Sequence, residues 1–175
     1  MEVQETWPLT EAFSETFLFA REPRKLNNVL NSLATNEAIG AMGDAALDRV
    51  MLARVGFLEH HPDQFDSSVQ SAIEELKRED RRADEAEARA MEALAFQAVG
   101  KIKEAQEDLK QADALGVTDW LVAFRLSLTA AHLEAGSGNA SAAMLKLNTV
   151  MADAKRRGCV VCETEKRLEL GDRRN

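Results

Sequence analysis

A pattern of small residues with the spacing of two packed helices occurs twice in the second half of this 175-residue chain. Small side chains let two helix backbones approach to about 8–10 Å, and a Gly between the helices lets the chain reverse. The pattern therefore predicts antiparallel helical hairpins stacked in tandem. The first copy reads Ala93-x-x-Phe96, Gly100, Ala105-x-x-x-Leu109-x-x-Ala112, and the weaker second copy reads Ser127-x-x-Ala130, Gly138, Ala143-x-x-x-Leu147.

Composition favours a folded, helix-rich domain over a disordered chain. Hydrophobic residues make up 45% of the sequence and charged residues 30%, with only three prolines; this balance is typical of a chain that can bury a core. The net charge of -8 opposes binding to nucleic acid and to anionic membrane surfaces. We therefore expect an all-α protein that has no nucleic-acid partner.

Apolar periodicity predicts several helices before the repeated part. Leu26, Val29, Leu30 and Leu33 form a helical stripe, and the fragment from Trp7 onward reads as an earlier helix start. Further helices are predicted from 44 to 58 and from 65 to 76. We divide the chain into an N-terminal helical segment, 1–43, and helical repeats over 44–175, clearest over 84–157, within one continuous domain.

In the repeated part, glycines separate four long helical stretches. The stretches are predicted at 84–99, 101–115, 120–135 and 140–157, and a further helix is expected from 160 to 170. Together with the earlier helices this gives roughly seven to nine in the whole chain.

Residues 86–119 resemble one unit of the tetratricopeptide repeat family, and residues 120–157 resemble a degenerate second unit. The second unit fits only with about four extra residues at its turn, and a third unit at 44–80 fits loosely. The resemblance implies a short α-solenoid that acts as a non-enzymatic scaffold or adaptor for a protein partner, alone or within a larger regulatory or signalling protein. The matching positions of the first unit are Ala93, Phe96, Gly100, Ala105, Leu109 and Ala112.

By the same resemblance, the first helix of each unit lines a concave groove. The charged residues with which some members of the family hold a terminal carboxylate do not occur at these positions. We therefore expect the groove to bind an amphipathic helix, another segment of the same polypeptide or a second copy of the chain. The groove positions are Glu87, Ala90, Leu94 and Gln97 in the first unit and Leu121, Phe124, Leu128 and Ala131 in the second.

The partner-binding residues predicted from this alignment form one apolar strip with a polar border. The strip consists of Leu121, Phe124 and Leu128, bordered by Leu94 and Gln97. The alternative is that the three apolar residues of the strip pack against the next helical layer.

The pair Cys159-x-x-Cys162 is the main candidate for chemistry. Such a pair can be a redox dithiol or half of a zinc site, and this is the alternative function that the sequence leaves open. It can also be a simple disulfide, or two small apolar residues at the start of a helix, which is the reading we favour. The run from His60 to Asp63 reads as a helix-ending turn rather than a metal site. No catalytic motif is recognised, so we expect no enzyme, no cofactor and no metal.

The ends of the chain add expectations about location and assembly. The start, 1–5, is acidic and lacks an apolar signal core, and no stretch of about 18 apolar residues occurs. We therefore expect a cytoplasmic protein without a membrane span. The basic excess within 155–174 reads as a solvated helix face, and a homodimer through an uncapped end repeat is left open.

Overall fold

The computed structural model describes residues 23–58 and 66–159, and these residues form helices joined by short turns, with no strand among them. The all-α class predicted from the sequence is confirmed. The seven helices of the described residues are α1 (Pro23–Ile39), α2 (Met42–Leu58), α3 (Asp66–Arg78), α4 (Arg82–Ala98), α5 (Ile102–Ala114), α6 (Trp120–Gly136) and α7 (Ala140–Arg156).

The helices pack in the order expected for tandem hairpins. Each of the pairs α2/α3, α4/α5 and α6/α7 packs together as neighbours in sequence. The first helices of successive hairpins contact one another: α2 contacts α4, and α4 contacts α6. The second helix of a hairpin contacts the first helix of the next one: α3 contacts α4, and α5 contacts α6. Helix α1 packs against α2. This packing is consistent with a helical repeat.

Alanines fill the crossings around α4. Ala93 and Ala105 lie with Leu133 in one cluster that joins α4, α5 and α6. Ala86 and Ala112 lie with Val122 in a second cluster of the same three helices. All four alanines are fully buried, so the methyl groups sit where a larger side chain would separate the helices.

The turn from α4 to α5 contains a left-handed residue closed by a backbone hydrogen bond. Gly100 has φ +80°, the Lys101 N–H donates to the Phe96 carbonyl at 2.8 Å, and the Gly100 N–H donates to the Gln97 carbonyl at 3.0 Å. This is the Schellman ending of a helix, which favours Gly because the left-handed region crowds a Cβ. The same turn occurs between α3 and α4 at Asp80, a non-Gly residue with φ +54°.

The repeat period is longer than the sequence template suggested. The first helices α2, α4 and α6 begin at Met42, Arg82 and Trp120, which are 40 and 38 residues apart. The turns at Gly100 and Gly138 have the same length and hydrogen bonds. The four extra residues that were predicted at the turn of the second unit are therefore not there. The first unit begins at Arg82, four residues before the predicted start at 86, so both units place their turn at the same distance from their first residue.

Helix positions predicted for the repeated part are otherwise correct to within two residues over α4, α5, α6 and α7. The helix predicted from Leu26 to Leu33 also forms, within α1. The helix expected to start near Trp7, the run from His60 to Asp63 and the helix expected over 160–170 lie outside the described residues.

We predict that enlarging a crossing alanine destabilises the fold. Ala112→Leu should cost about 1–3 kcal/mol, because the added atoms have no space between α4, α5 and α6. Ala114→Leu, at an exposed position of the same helix, is the matched control and should change stability by less than about 0.5 kcal/mol. Urea unfolding of both variants measures the difference, and equal midpoints would contradict the packing described here.

Candidate functional site

The apolar strip predicted to bind a partner lies mostly inside the protein. Phe124 and Leu128 are each 3% exposed and form a core cluster with Ala154 between α6 and α7. Leu121 packs against this cluster and is partly buried. The alternative reading, packing within the helical layers, therefore describes Phe124 and Leu128 in this structure.

The two border residues of the strip are also engaged within the array. Leu94 is partly buried and packs against the core that α2, α3 and α4 share. The Gln97 side-chain amide donates to the His132 carbonyl at 2.8 Å and ties the end of α4 to α6. A Cβ at Gly136 would collide with this amide, so the glycine makes room for the tie. The five predicted contact residues thus do not form one exposed surface.

The helix register explains why the predicted groove positions on α6 are displaced. Gly100 and Gly138 are equivalent turn residues 38 positions apart. With this offset Arg125, not Leu121, is the α6 equivalent of Glu87 on α4. The 34-residue template had placed the first helix of the second unit one helical turn out of step.

Glu87 and Arg125 form an ion pair across adjacent repeats. The Arg125 guanidinium donates to the Glu87 carboxylate at 2.5 Å, and both side chains are about nine-tenths buried. The residues that follow one turn later on each helix, Met91 and Thr129, are buried as well. The pair joins equivalent positions of α4 and α6, so it fixes the register of one hairpin against the next. The repeat pattern predicts Glu87 at the groove but gives no signal for Arg125.

A second polar cluster centres on Arg89, on the side of α4 that faces α5. Its guanidinium donates to Glu85 at 2.9 Å and to the Gln111 amide oxygen at 2.8 Å, and lies 3.7 Å from the Asp108 carboxylate. The cation thus binds acceptors from both helices of one hairpin, an arrangement that orients α5 on α4. Among the described residues, no three His, Cys, Asp or Glu side chains are grouped so that they could hold a metal ion.

An open cleft of about 570 Å³ lies between α5, α6 and α7. Its floor carries Ala123, Ser127 and Ala130, which follow one another along α6 at the spacing of one helix face. The small-residue pattern of the sequence had assigned Ser127 and Ala130 to a helix crossing. They face the cleft instead, because α5 and α7 both pack on α6 but not closely on each other.

The walls of the cleft combine apolar and charged side chains. Leu109, Leu126 and Leu133 contribute apolar surface beside the small floor. Lys110 projects from α5 with its side chain 78% exposed, and at the other end Lys146 of α7 pairs with Glu134 of α6 at 3.2 Å. Such a lining suits a peptide segment with an apolar face and polar edges. No single residue of this cleft had been predicted as a contact residue.

A polar lock joins the start of α6 to the end of α7. The Trp120 indole N–H donates to the Asp153 carboxylate at 2.7 Å, and the guanidinium groups of Arg156 and Arg157 donate to the same carboxylate at 2.9 Å. Arg157 also lies over the Trp120 ring, 4.9 Å from its centroid. The hydrogen bonds from Arg156, Trp120 and Arg157 hold the pKa of the Asp153 carboxyl well below its usual range.

Cys159 ends the described part of the chain beside this lock. It is partly buried, packs against the cluster of Phe124 and Leu128, and is disulfide-bonded. The interpretation of Cys159 as a small apolar residue thus explains its packing but does not explain its disulfide bond. Cys162 lies outside the described residues.

No helix within 23–58 or 66–159 combines the length and the apolar character needed to cross a membrane. Comparisons of the chain with protein-family models, with curated proteins and with solved structures give no match.

We predict that Phe124 acts as a core residue. Phe124→Ala should lower the free energy of unfolding by about 3–5 kcal/mol, because it opens a cavity between α6 and α7. Leu145→Ala is the matched control, since Leu145 is 70% exposed on α7, and it should be nearly neutral. Thermal and urea melts measure both, and a Phe124→Ala protein as stable as the control would contradict the burial.

A second prediction concerns the pH dependence of the Asp153 lock. Since the folded pKa lies below the unfolded value of about 3.9, the lock stabilises the fold above that value and its contribution is lost as the pH falls towards the folded pKa. Asp153→Asn should therefore lower the melting temperature at pH 7. The difference in melting temperature between this variant and the original protein should become smaller below about pH 4. Asp113→Asn, at an exposed position of α5, is the control. If the melting-temperature difference between Asp153→Asn and the original protein grew as the pH fell, the prediction would be contradicted.

Proposed function

We propose that this chain is a non-enzymatic protein-interaction scaffold that binds a helical segment of a partner in the cleft between α5, α6 and α7. The observation that carries the proposal is the open row of Ala123, Ser127 and Ala130 on the cleft floor. Small side chains at helical spacing are the surface on which this protein packs its own helices. The same surface, left uncovered by α5 and α7, favours another helix.

The dimensions of the cleft support a helical ligand. From Ala123 to Ser137 the lining follows α6 and its C-cap over 14 residue steps, about 21 Å at 1.5 Å per residue. That length accommodates about four turns of a bound helix. The small floor permits a close backbone approach, and Leu109, Leu126 and Leu133 offer apolar contacts beside it.

The polar groups of the cleft support binding rather than catalysis. The Ser127 hydroxyl donates to the Ala123 carbonyl at 2.8 Å, as serines inside helices commonly do. Lys146 and Glu134 are joined in their own ion pair. On the α5 wall, Lys110 lies 3.6 Å from the Glu107 carboxylate in an exposed ion pair, and Asp113 lines the same wall, so this edge offers charges of both signs to the polar groups of a partner helix.

We predict that a bulky cation on the cleft floor abolishes partner binding without unfolding the protein. The original protein is first used to capture and identify binding proteins, and the affinity of each is then measured with purified components. Ala123→Arg places a long charged side chain in the cleft at an exposed position. It should weaken binding at least about 30-fold, the scale of one interface hot spot.

Ser141→Arg is the matched control, because Ser141 is exposed on α7 and does not line the cleft. It adds the same side chain and should leave the affinity unchanged. Circular dichroism verifies that both variants keep their helices. If the two variants bind every identified partner equally well, the cleft is not the docking surface.

A further inference from the structure

The joint between α1 and α2 has the same backbone construction as the joint between α3 and α4. Helices α2 and α4 begin 40 residues apart. The turns before them are both left-handed, at Gly40 and Asp80, and each is closed by a backbone hydrogen bond of 2.9 Å. The two joints can therefore be compared residue by residue. The closing bonds run from the Ala41 N–H to the Asn36 carbonyl and from the Arg81 N–H to the Leu76 carbonyl.

The two joints differ in the side chains next to the turn. At the α3/α4 joint three apolar residues, Ala72, Leu76 and Ala88, are fully buried in one core cluster. The equivalent residues of the α1/α2 joint, 40 positions earlier, are Ser32, Asn36 and Asp48. The Asn36 amide donates to the Asp48 carboxylate at 2.9 Å and to the Ser32 hydroxyl at 3.3 Å. A polar cluster thus joins α1 to α2 where the later joint has an apolar core.

Apolar contacts add little to this joint. Among the side chains that the structure describes on α1, those of residues 28–39, Val29 is the buried apolar one, and it packs against the partly buried Met51 and Leu52. Helix α1 packs closely on α2 alone among the described helices, whereas α3 packs on both α2 and α4. Helix α1 is therefore held along one side, with less apolar burial than α3.

The charges at the joint do not compensate for the missing core. Arg49 of α2 pairs with Glu37 of α1, but the Glu37 side chain is 45% exposed, so water weakens the pair. Burial raises the pKa of the Asp48 carboxyl, the hydrogen bonds from Ser32 and Asn36 offset this only in part, and the charge of Asp44 adds to the rise. A carboxyl whose pKa is higher in the docked state than in water is less stable there when it is ionised. The ionised Asp48 therefore favours separation of the two helices.

We propose that α1 is a releasable strap, which separates from α2 as a unit while α2 to α7 stay folded, with Ser32, Asn36 and Asp48 as its polar latch. The turn at Gly40 is the hinge of this movement. Release uncovers the side of α2 that carries Met51 and Leu52. An element that few apolar contacts hold can open at a lower free energy than the whole domain, and α1 fits that description.

Amide-resolved hydrogen exchange on the full chain at pH 7 tests the release. We expect the amides of 28–39 to share one opening, with protection at least about 100-fold lower than that of the α4 amides, because the core of the array opens only with the domain. Equal protection of α1 and α4 would overturn the proposal. So would protection that falls gradually from the turn towards the start of α1, since that pattern describes fraying and not release as a unit.

A pair of substitutions tests the latch itself. Asn36→Leu combined with Asp48→Ala gives the α1/α2 joint the residues that the α3/α4 joint has at the same positions. Replacing buried polar and charged groups by apolar ones of suitable volume stabilises a contact. Exchange from α1 should therefore slow at least about 10-fold, while exchange from α4 stays the same. Asp48→Asn, which removes the charge and keeps the shape, should slow α1 exchange in the same direction.

Ala34→Leu is the matched control, because it adds a leucine at an exposed position of the same helix. It should leave α1 exchange within about 2-fold of the original protein. If neither latch variant slowed α1 exchange, if the control slowed it as much, or if every helix slowed equally, the latch would be wrong. None of these results depends on whether the cleft binds a partner.

Discussion

The close crossing of α4 with α5 and α6 is the constraint on which the rest of the structure depends. Ala86, Ala93, Ala105 and Ala112 are buried completely where these helices meet. Because methyl groups separate the backbones so little, polar side chains on either side of α4 reach the neighbouring helices. The Arg89 cluster and the Glu87–Arg125 pair both rest on this proximity. The same crossings place α5 on one side of α6 and leave the cleft beside it.

Buried charges in the middle of the array set register more than they add stability. Removing ions from water is costly, and a buried pair is often no more stable than apolar side chains of similar volume. The Glu87–Arg125 pair connects equivalent positions of two repeats. A slip of one helical turn between α4 and α6 would separate the two charges inside the protein. The pair therefore disfavours alternative registers of α4 against α6. The alanines alone would discriminate poorly between these registers.

Helices and turns could be predicted from the sequence because their signals are local. The glycines at 100 and 138 mark left-handed turns, and the alanine spacing marks the α4/α5 crossing. Register could not be predicted, because a 34-residue template starts the first unit at 86 and not at Arg82, where α4 begins. Burial of Phe124 depends on how α7 packs against α6, and exposure of Ser127 depends on how far α5 and α7 lie apart. Both are tertiary properties without a local signal.

The central claim is that α4 and α6 meet at equivalent positions 38 residues apart. A double-mutant cycle on Glu87→Met and Arg125→Met measures it directly, since the two positions interact only if this register holds. Each single change should cost about 3–5 kcal/mol by leaving its partner's charge buried. The double variant should lose at least about 1 kcal/mol less stability than the sum of the two single losses. Losses that add to within about 0.5 kcal/mol would contradict the register and the stacking built on it.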